Sequence, residues 1–413
     1  MVFEGGKVMD PLDVMMNKDK IIPYYQPIIS ADKQLVIGYE VLAHILTEEG
    51  NKSLGWFFRD RTIPDEYRLE LEDYVQETAI EHFQQVGQKV YLFFNYDANL
   101  LLQDNGETLI KRIESVQGDE DLKKHIVLQL DEQLISNQAD EFKHLLAYIQ
   151  STGIQIAVNN IGFKSSNLDN LALLKPNIVK VNVAFLEEDS LPHLYREVHH
   201  SISMLSRKIG ATLLFEGITG FNQLNYAWRN GGRYYQGDYL IQATRQFISL
   251  DYCKEKIQKE FQHFITFERR KVEAQIQLLN LISQKMKHSV KEIQDMEHLD
   301  QFILKVAADC HDFVFRVYIC NQDGFQQTAN AEKNELGKWE LHLEGRNKNW
   351  SWRPYFLENI VRMNIEKKGL LSDLYTDIDR DERIRTYSYP ISDSLYLFLD
   401  IPYDYLFEQD GLL

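Results

Sequence analysis

Cysteine, proline and basic charge are all scarce in this chain. Its three cysteines, Cys253, Cys310 and Cys320, lie far apart among 413 residues. That pattern excludes a disulfide-built scaffold and a CxxC-type metal knuckle, and reads as reduced thiols in a cytoplasmic protein. With 45 Lys and Arg against 62 Asp and Glu the net charge is −17, which argues against DNA or an anionic membrane surface as the principal partner. No apolar run approaches the roughly 20 residues needed to span a bilayer. The opening residues, MVFEGGKVMDPLDVMM, carry acidic residues and glycines where a secretory signal would be apolar, so the cell interior is the expected location. Neither Gly nor Pro occurs from Asp238 to Asp323, a stretch without the two strongest breakers of regular structure.

From about Ile21 to Ala243, short β-rich runs alternate with helical stretches. The spacing predicts strands at Ile37–Leu42, Val90–Phe94, Ile126–Leu130, Ile154–Val158, Ile178–Val181, Thr212–Phe215 and Tyr239–Leu240. Helical patterns fall at Asp65–Val86, Asp140–Ser151 and Pro192–Ile209. Strand and helix repeated this often imply a parallel sheet closed into a (β/α)₈ TIM-like barrel. In the breaker-free stretch, Ile257, Phe261, Phe264, Val272, Ile276, Leu279, Ile282, Met286 and Val290 trace a stripe at 3–4 residue spacing. This predicts a long linker helix from Asp251 to about Gln294, whose stripe packs on the barrel or makes a helical dimer contact. Beyond it, helices at Leu299–Asp309 and Pro354–Ile365 and strands at Phe313–Cys320, Lys338–Leu343, Thr386–Pro390 and Leu395–Ile401 predict a small α+β domain. The expected division is 1–250, 251–298 and 299–413.

The stretch Gly153–Leu168, GIQIAVNNIGFKSSNL, carries most of the functional information. A short apolar strand ends on Asn159 and Asn160, at the strand mouth where an α/β barrel keeps its chemistry. Two carboxylates here would signal a divalent metal, because Mg²⁺ and Mn²⁺ prefer hard anionic oxygens. Two neutral amides stand there instead.

Eight fragments in order carry a family resemblance: YYQPII (Tyr24–Ile29), GYEVL (Gly38–Leu42), FFNYD (Phe93–Asp97), VLQLDE (Val127–Glu132), AVNNIG, IVKVN (Ile178–Asn182), LLFEGIT (Leu213–Thr219) and YYQGDYL (Tyr234–Leu240). Together they resemble EAL domains, the phosphodiesterases that linearise cyclic di-GMP. The resemblance implies a pair of divalent ions held by carboxylates and one Asn, activating a water, with a lysine close by. It places Glu40, Asn95 and Glu216 at ligand positions and Lys180 at the lysine. Gln129, Asn159, Asn160 and Asn182 stand where the family carries acids. His44 replaces an arginine, Thr219 replaces a glutamate, and GFKSSNL (Gly162–Leu168) departs from the family loop.

Each amide removes a negative charge while keeping side-chain shape. The resemblance therefore implies a degenerate bacterial EAL domain in which Glu40 and Lys180 are vestigial and hydrolysis is lost. A residual Mg²⁺ or Mn²⁺ would have only Glu40, Asn95 and Glu216. Amides also lower the repulsion felt by a dianionic ligand and donate hydrogen bonds to phosphate oxygens. Cyclic di-GMP bound without hydrolysis is the expected role, through Gln26, Leu42, His44, Asn95, Asn159, Asn160, Lys180, Glu216 and Gln236, with the signal passed to an unknown protein partner. The alternatives are a protein-interaction scaffold that binds no nucleotide and a weak residual phosphodiesterase. The family also implies a homodimer.

The order of barrel, long helix and small α+β module resembles YkuI-type EAL proteins, whose C-terminal part is PAS-like. The segments NWSWRPYFLENI (Asn349–Ile360) and GLLSDLYTD (Gly369–Asp377) carry that similarity. Trp352, Arg353 and Tyr355 are candidates for a small-molecule pocket there, since aromatics beside a guanidinium suit a carboxylate. A packed core with Arg353 in a structural ion pair is the competing reading.

Overall fold

β-branched and aromatic residues crowd Ile21–Ser30 (β1) and Val36–Thr47 (β2), and a five-residue turn joins the two strands. In the computed structural model, which describes residues 9–115, 122–131, 139–159, 168–187, 193–291, 298–334, 336–403 and 405, they pair antiparallel with Gln26 opposite Glu40. So short a link cannot make the crossover that parallel strands need, so the wholly parallel sheet expected from the alternation is corrected at β1. Gly50–Ser53 (β3) folds back on β2 as a hairpin. Then come Tyr91–Asn95 (β4), Ile126–Asp131 (β5), Gln155–Asn159 (β6), Ile178–Asn182 (β7), Thr212–Glu216 (β8) and Tyr234–Tyr235 (β9).

The strand order is β1-β9-β8-β7-β6-β5-β4-β2-β3, and the β1–β2 pairing closes eight of these strands into a barrel. Strands β2 and β4 to β9 are mutually parallel, while β1 is antiparallel to both neighbours. Tyr239–Leu240, expected as the last strand, lies in a turn. The strand is Tyr234–Tyr235, and Gly237 ends it by packing its α-carbon against the Ile218 backbone, where a side chain has no room.

Period-two alternation layers the barrel interior. Ile28, Ile37, Phe93, Val127, Ala157, Ile178 and Leu214 form an apolar plug. Two residues further along five strands, the same inward face presents Asn95, Gln129, Asn159, Lys180 and Glu216 at the C-terminal mouth. The helix Asp65–Val86 covers β1 and β2, buries Leu71, Val75, Ala79, Ile80 and Phe83, and ends on Gly87 in the left-handed conformation at φ 66°.

The chain divides into two compact units, Met1–His263 and Phe264–Leu413, within a helix that spans Lys254–Lys291. Ile257 and Phe261 are buried in the first unit, and Ile282 and Met286 lie in the core of the second. Val272 and Ile276, assigned to the same stripe from their spacing, are exposed.

The second unit is a seven-stranded antiparallel sheet. Its strands are Arg316–Asn321 (β10), Asn330–Lys333 (β11), Trp339–His342 (β12), Leu370–Leu371 (β13), Tyr375–Thr376 (β14), Arg383–Pro390 (β15) and Leu395–Pro402 (β16). On β10, Val317 and Ile319 pack with the helix Leu299–Asp309, while Tyr318 and Cys320 pack on the opposite face with Phe356, Ile360 and Met363 of the helix Pro354–Glu366. Arg316 is buried at the edge of this core and its Nε donates to Asp400 at 2.7 Å, with Asp377 as a second partner.

Within the EAL-like GYEVL strand, Gly38 is required by close approach. A β-carbon there would lie 2.8 Å from Tyr91 O and 2.9 Å from the Phe93 ring. Gly38→Ala should therefore cost about 1–3 kcal/mol by overpacking; urea unfolding of the full chain measures it, and an unchanged midpoint would refute the contact.

Candidate functional site

Lys180 sits at the centre of the barrel mouth, fully buried at 0 % exposure. It is carried inward by β7, between hydrophobic neighbours Val179 and Val181 that point outward to the helical layer. Its ammonium donates to Glu40 Oε2 at 2.9 Å and to Gln129 Oε1 at 2.6 Å, and pairs with Glu216 Oε2 at 3.0 Å. Three partners match its three N–H donors. Glu40 is tied further: Gln236 Nε2 donates to its Oε2 at 2.5 Å and Asn95 Nδ2 to its Oε1 at 2.7 Å. Gln129 Nε2 in turn donates to Asn95 Oδ1 at 3.3 Å, and Asn159 Nδ2 reaches the same oxygen at 3.5 Å. A lysine, two carboxylates and four amides thus form one connected ring.

The electrostatics follow from that ring. Burial on its own would push the Glu40 carboxyl up, but the Lys180 ammonium and the Gln236 and Asn95 amides hold it down to about 2. Burial likewise opposes the charge of Lys180, yet Glu216 and Glu40 overcome it and its pKa is raised. Both groups are charged at neutral pH, as a buried pair with further hydrogen bonds can be.

The other residues singled out from the sequence fall around this ring. Gln26 faces Glu40 across the β1–β2 pair, but its Nε2 donates to the Ile241 carbonyl at 2.6 Å. Leu42 is half-buried on β2, and its neighbour His44 packs its ring 4.2 Å from that of Tyr24, with burial lowering its pKa. Asn182, in register with Glu216 on β8, accepts on its Oδ1 from the Ala184 backbone in a turn-forming contact. Asn160 and Gly162 lie outside the described residues. In the second unit, the Arg353 guanidinium lies 4.5 Å from the Trp350 ring, 5.2 Å from Tyr375 and 5.7 Å from the exposed Trp352. The Tyr355 side chain is outside the described residues.

A feature that sequence reasoning missed adjoins the ring. A cavity of about 510 Å³, bordered by Asn95, Gln129 and Asn159, extends toward the helix Asp65–Val86 and its buried Arg68 and Glu72. In sequence these charges at four-residue spacing look like a solvated helix face.

The donor set does not fit a pair of divalent ions. Among the described residues no group of three or more His, Cys, Asp or Glu converges as a metal site, and the two carboxylates of the ring are both engaged by Lys180. Among the described residues, however, the buried Asn159 Oδ1 and Gln236 Oε1 have no hydrogen-bond partner. Neutral oxygens of this kind, beside Glu40, Asn95 and Glu216, suit at most a single ion of the calcium type, which accepts amide carbonyls in flexible geometry.

Comparison with known proteins agrees with the architecture. The EAL domain family matches residues 10–243, and the EAL-domain associated signalling protein domain (YkuI_C) matches residues 247–413. Over 408 residues the chain is 43 % identical to the EAL-domain containing protein YkuI of Bacillus subtilis, covering 98 % of this chain and 100 % of that one. A crystal structure of B. subtilis YkuI in complex with substrate c-di-GMP and calcium matches with a TM-score of 0.91 at 44 % identity, over 98 % of this chain and 100 % of that chain. An EAL domain protein from Listeria monocytogenes matches with a TM-score of 0.50 at 20 % identity, over 62 % of this chain and 99 % of the other, a likeness of fold alone.

The ring makes Lys180 a stability determinant. Lys180→Met keeps bulk but leaves the buried Glu40 and the half-buried Glu216 without their counter-charge, an expected loss of about 3–5 kcal/mol in urea unfolding at pH 7. Adding Glu40→Gln should recover a large part. The Glu40 contribution is complete above the ordinary carboxylate value of 4.5 and is lost as pH falls toward its folded value of about 2. Acid unfolding of Glu40→Gln should lack that component; identical acid limbs would refute the pairing.

Proposed function

The chain belongs to the EAL-domain family, and from that premise we propose that its barrel mouth is a receptor for cyclic di-GMP that holds the dinucleotide without hydrolysing it and relays the bound state to a protein partner. The observation that carries this reading is the Lys180 ammonium, which occupies Glu40 and Glu216 together. Two-metal hydrolysis needs a pair of ions to generate the nucleophile and to stabilise both the attacking and the leaving oxygen. Here Gln129 and Asn159 bring no charge to such a pair, and Asn160 adds none from the sequence. Calcium in the complex of the 44 %-identical YkuI is consistent with the single-ion capacity of the amide oxygens.

The residues of the ring have separate tasks in this receptor. Lys180 supplies positive charge beneath the phosphates while its own position is fixed by three partners. The amides Asn95, Gln129, Asn159 and Gln236 replace the repulsion of a carboxylate ring with groups that donate as well as accept. One ion held by Glu40, Asn95 and Glu216 would add screening of phosphate charge. The protein would act inside the cell, where the dinucleotide is made, and the C-terminal module is the natural place for the partner to read the bound state.

Calorimetric titration with cyclic di-GMP, in calcium and again in EDTA, tests the proposal. Micromolar or tighter binding that survives EDTA, with no linear dinucleotide released on long incubation, is the expected result. Absence of heat in both buffers would overturn it, as would turnover that disappears in Glu40→Ala.

A further inference from the structure

The sheet of the second unit ends on an edge that no other strand covers among the described residues. In its strand order β12 stands last and pairs only with β11. An open edge offers its main-chain groups to another chain, and proteins usually blunt such edges with proline, lysine or a bulge. Trp339–His342 contains neither proline nor lysine, and its four pairs with β11 run without a bulge. Apolar side chains are left in water beside it. Leu341 is 39 % exposed, Leu343 just beyond the strand 66 %, and Leu336 in the preceding turn 83 %.

The bonding pattern of the β11–β12 hairpin fixes which groups face outward. The Asn334 N–H donates to the Lys338 carbonyl at 2.8 Å, so these two are a hydrogen-bonded pair. Antiparallel pairs alternate between bonded and non-bonded. Glu332 with Glu340 and Asn330 with His342 therefore exchange bonds across the hairpin, while Lys333 with Trp339 and Ala331 with Leu341 do not. Lys333 agrees, since its N–H turns the other way, to the Phe315 carbonyl at 2.9 Å. Trp339 and Leu341 thus direct their main-chain N–H and C=O to the open side.

We infer that β12 is an interface between two copies of this chain, paired antiparallel about a two-fold axis at Leu341, so that one sheet continues into the other. Only residues with outward main-chain groups can bond across the axis, and side chains facing each other must share a face of the sheet. Both conditions are met when Leu341 meets its own copy. That register sets Glu340 opposite His342 of the second copy, and brings Trp339 toward Leu343 and Lys338 toward Glu344 at the ends. Each charged or polar group then faces its complement, around an apolar centre. The other registers are poorer. Centring on Glu340 opposes two identical carboxylates, and centring on Trp339 puts Gly337 of the hairpin turn opposite Leu341. Inside one chain, by contrast, Glu340 lies directly opposite Glu332, a like-charge pair that costs stability where it stands. Tolerance of that pair is accounted for if Glu340 serves the contact with a second copy.

The size of the contact sets its strength. A four-residue edge buries well below the ~1,000 Å² of a stable interface, so by itself it gives a reversible association, on the order of tens of micromolar. The contact does not depend on what the barrel mouth binds.

Sedimentation of the full chain across a wide range of concentration, together with thiol cross-linking, tests the interface, each variant being checked for its thermal transition. Leu341→Lys places two ammonium groups together on the axis and should abolish the association. Glu340→Lys relieves the contact with Glu332 but faces His342 of the second copy, and should weaken association about three- to tenfold. Adding His342→Glu restores an opposite pair across the axis and should recover most of that loss, a rescue that a role confined to one chain would not produce. Leu341→Cys should form a disulfide-linked dimer in oxidised glutathione, because residues facing each other as a bonded pair have α-carbons about 5.5 Å apart. The native Cys253, Cys310 and Cys320 are buried. Leu343→Cys is the control, since that register separates the two copies of position 343 by ~13 Å along the strands. Association unchanged in Leu341→Lys and in Glu340→Lys would overturn the interface. So would a wild type that stays monomeric while Leu341→Cys fails to cross-link, and cross-linking at 343 equal to that at 341 would overturn the register.

Discussion

An ammonium with no exposure to solvent is the constraint on which the barrel mouth depends. Moving an unpaired lysine charge out of water is far more costly than a domain's net stability allows, so Lys180 can stay charged only inside a full set of acceptors. Glu40, Glu216 and Gln129 provide that set, and Gln236 and Asn95 hold Glu40 in place for it. This gives the two carboxylates a reason to be present that is independent of catalysis. Removing either leaves the lysine short of a counter-charge in the least forgiving part of the barrel.

The same ring explains why the amides matter more than their small chemical difference suggests. Gln129 accepts from Lys180 with its oxygen and donates to Asn95 with its nitrogen, a relay that a carboxylate, with no N–H to give, cannot make. Asn95 similarly receives on its oxygen and donates to Glu40. The network is directional and closed on the lysine side. On the open side it leaves Asn159 Oδ1 and Gln236 Oε1 without a partner among the described residues.

Much of this was legible in the sequence, for definite reasons. Inward-facing residues recur every second position, so a strand that ends in Asn95, Gln129, Asn159, Lys180 or Glu216 announces a polar layer above an apolar one. The direction of β1 was not legible from alternation, because hydrophobic content says nothing about polarity; only the brevity of the turn after Ser30 does. Tyr234–Tyr235 escaped because two residues have no period, and the stronger-looking Tyr239–Leu240 lies in a turn. In the long helix, Ile257 and Ile276 look alike by spacing, yet one is buried and the other exposed. Spacing identifies a face, and only a neighbouring element decides whether that face is covered. The second unit shows the same gap: Arg353 attracts attention beside its tryptophans, while Arg316, unremarked within a strand, is the buried charge that Asp377 and Asp400 surround.

Charge counting at the mouth connects stability to the proposed role. With Lys180 against Glu40 and Glu216, the ring carries one net negative charge, whereas acids at positions 129 and 159 would make it three. A site with three net negative charges repels a dianion unless cations are recruited, and recruited cations are what make such a site hydrolytic. A site with one net charge and several amide N–H groups needs no such recruitment. In the proposed receptor, loss of turnover and tolerance of the ligand would be two results of one electrostatic change.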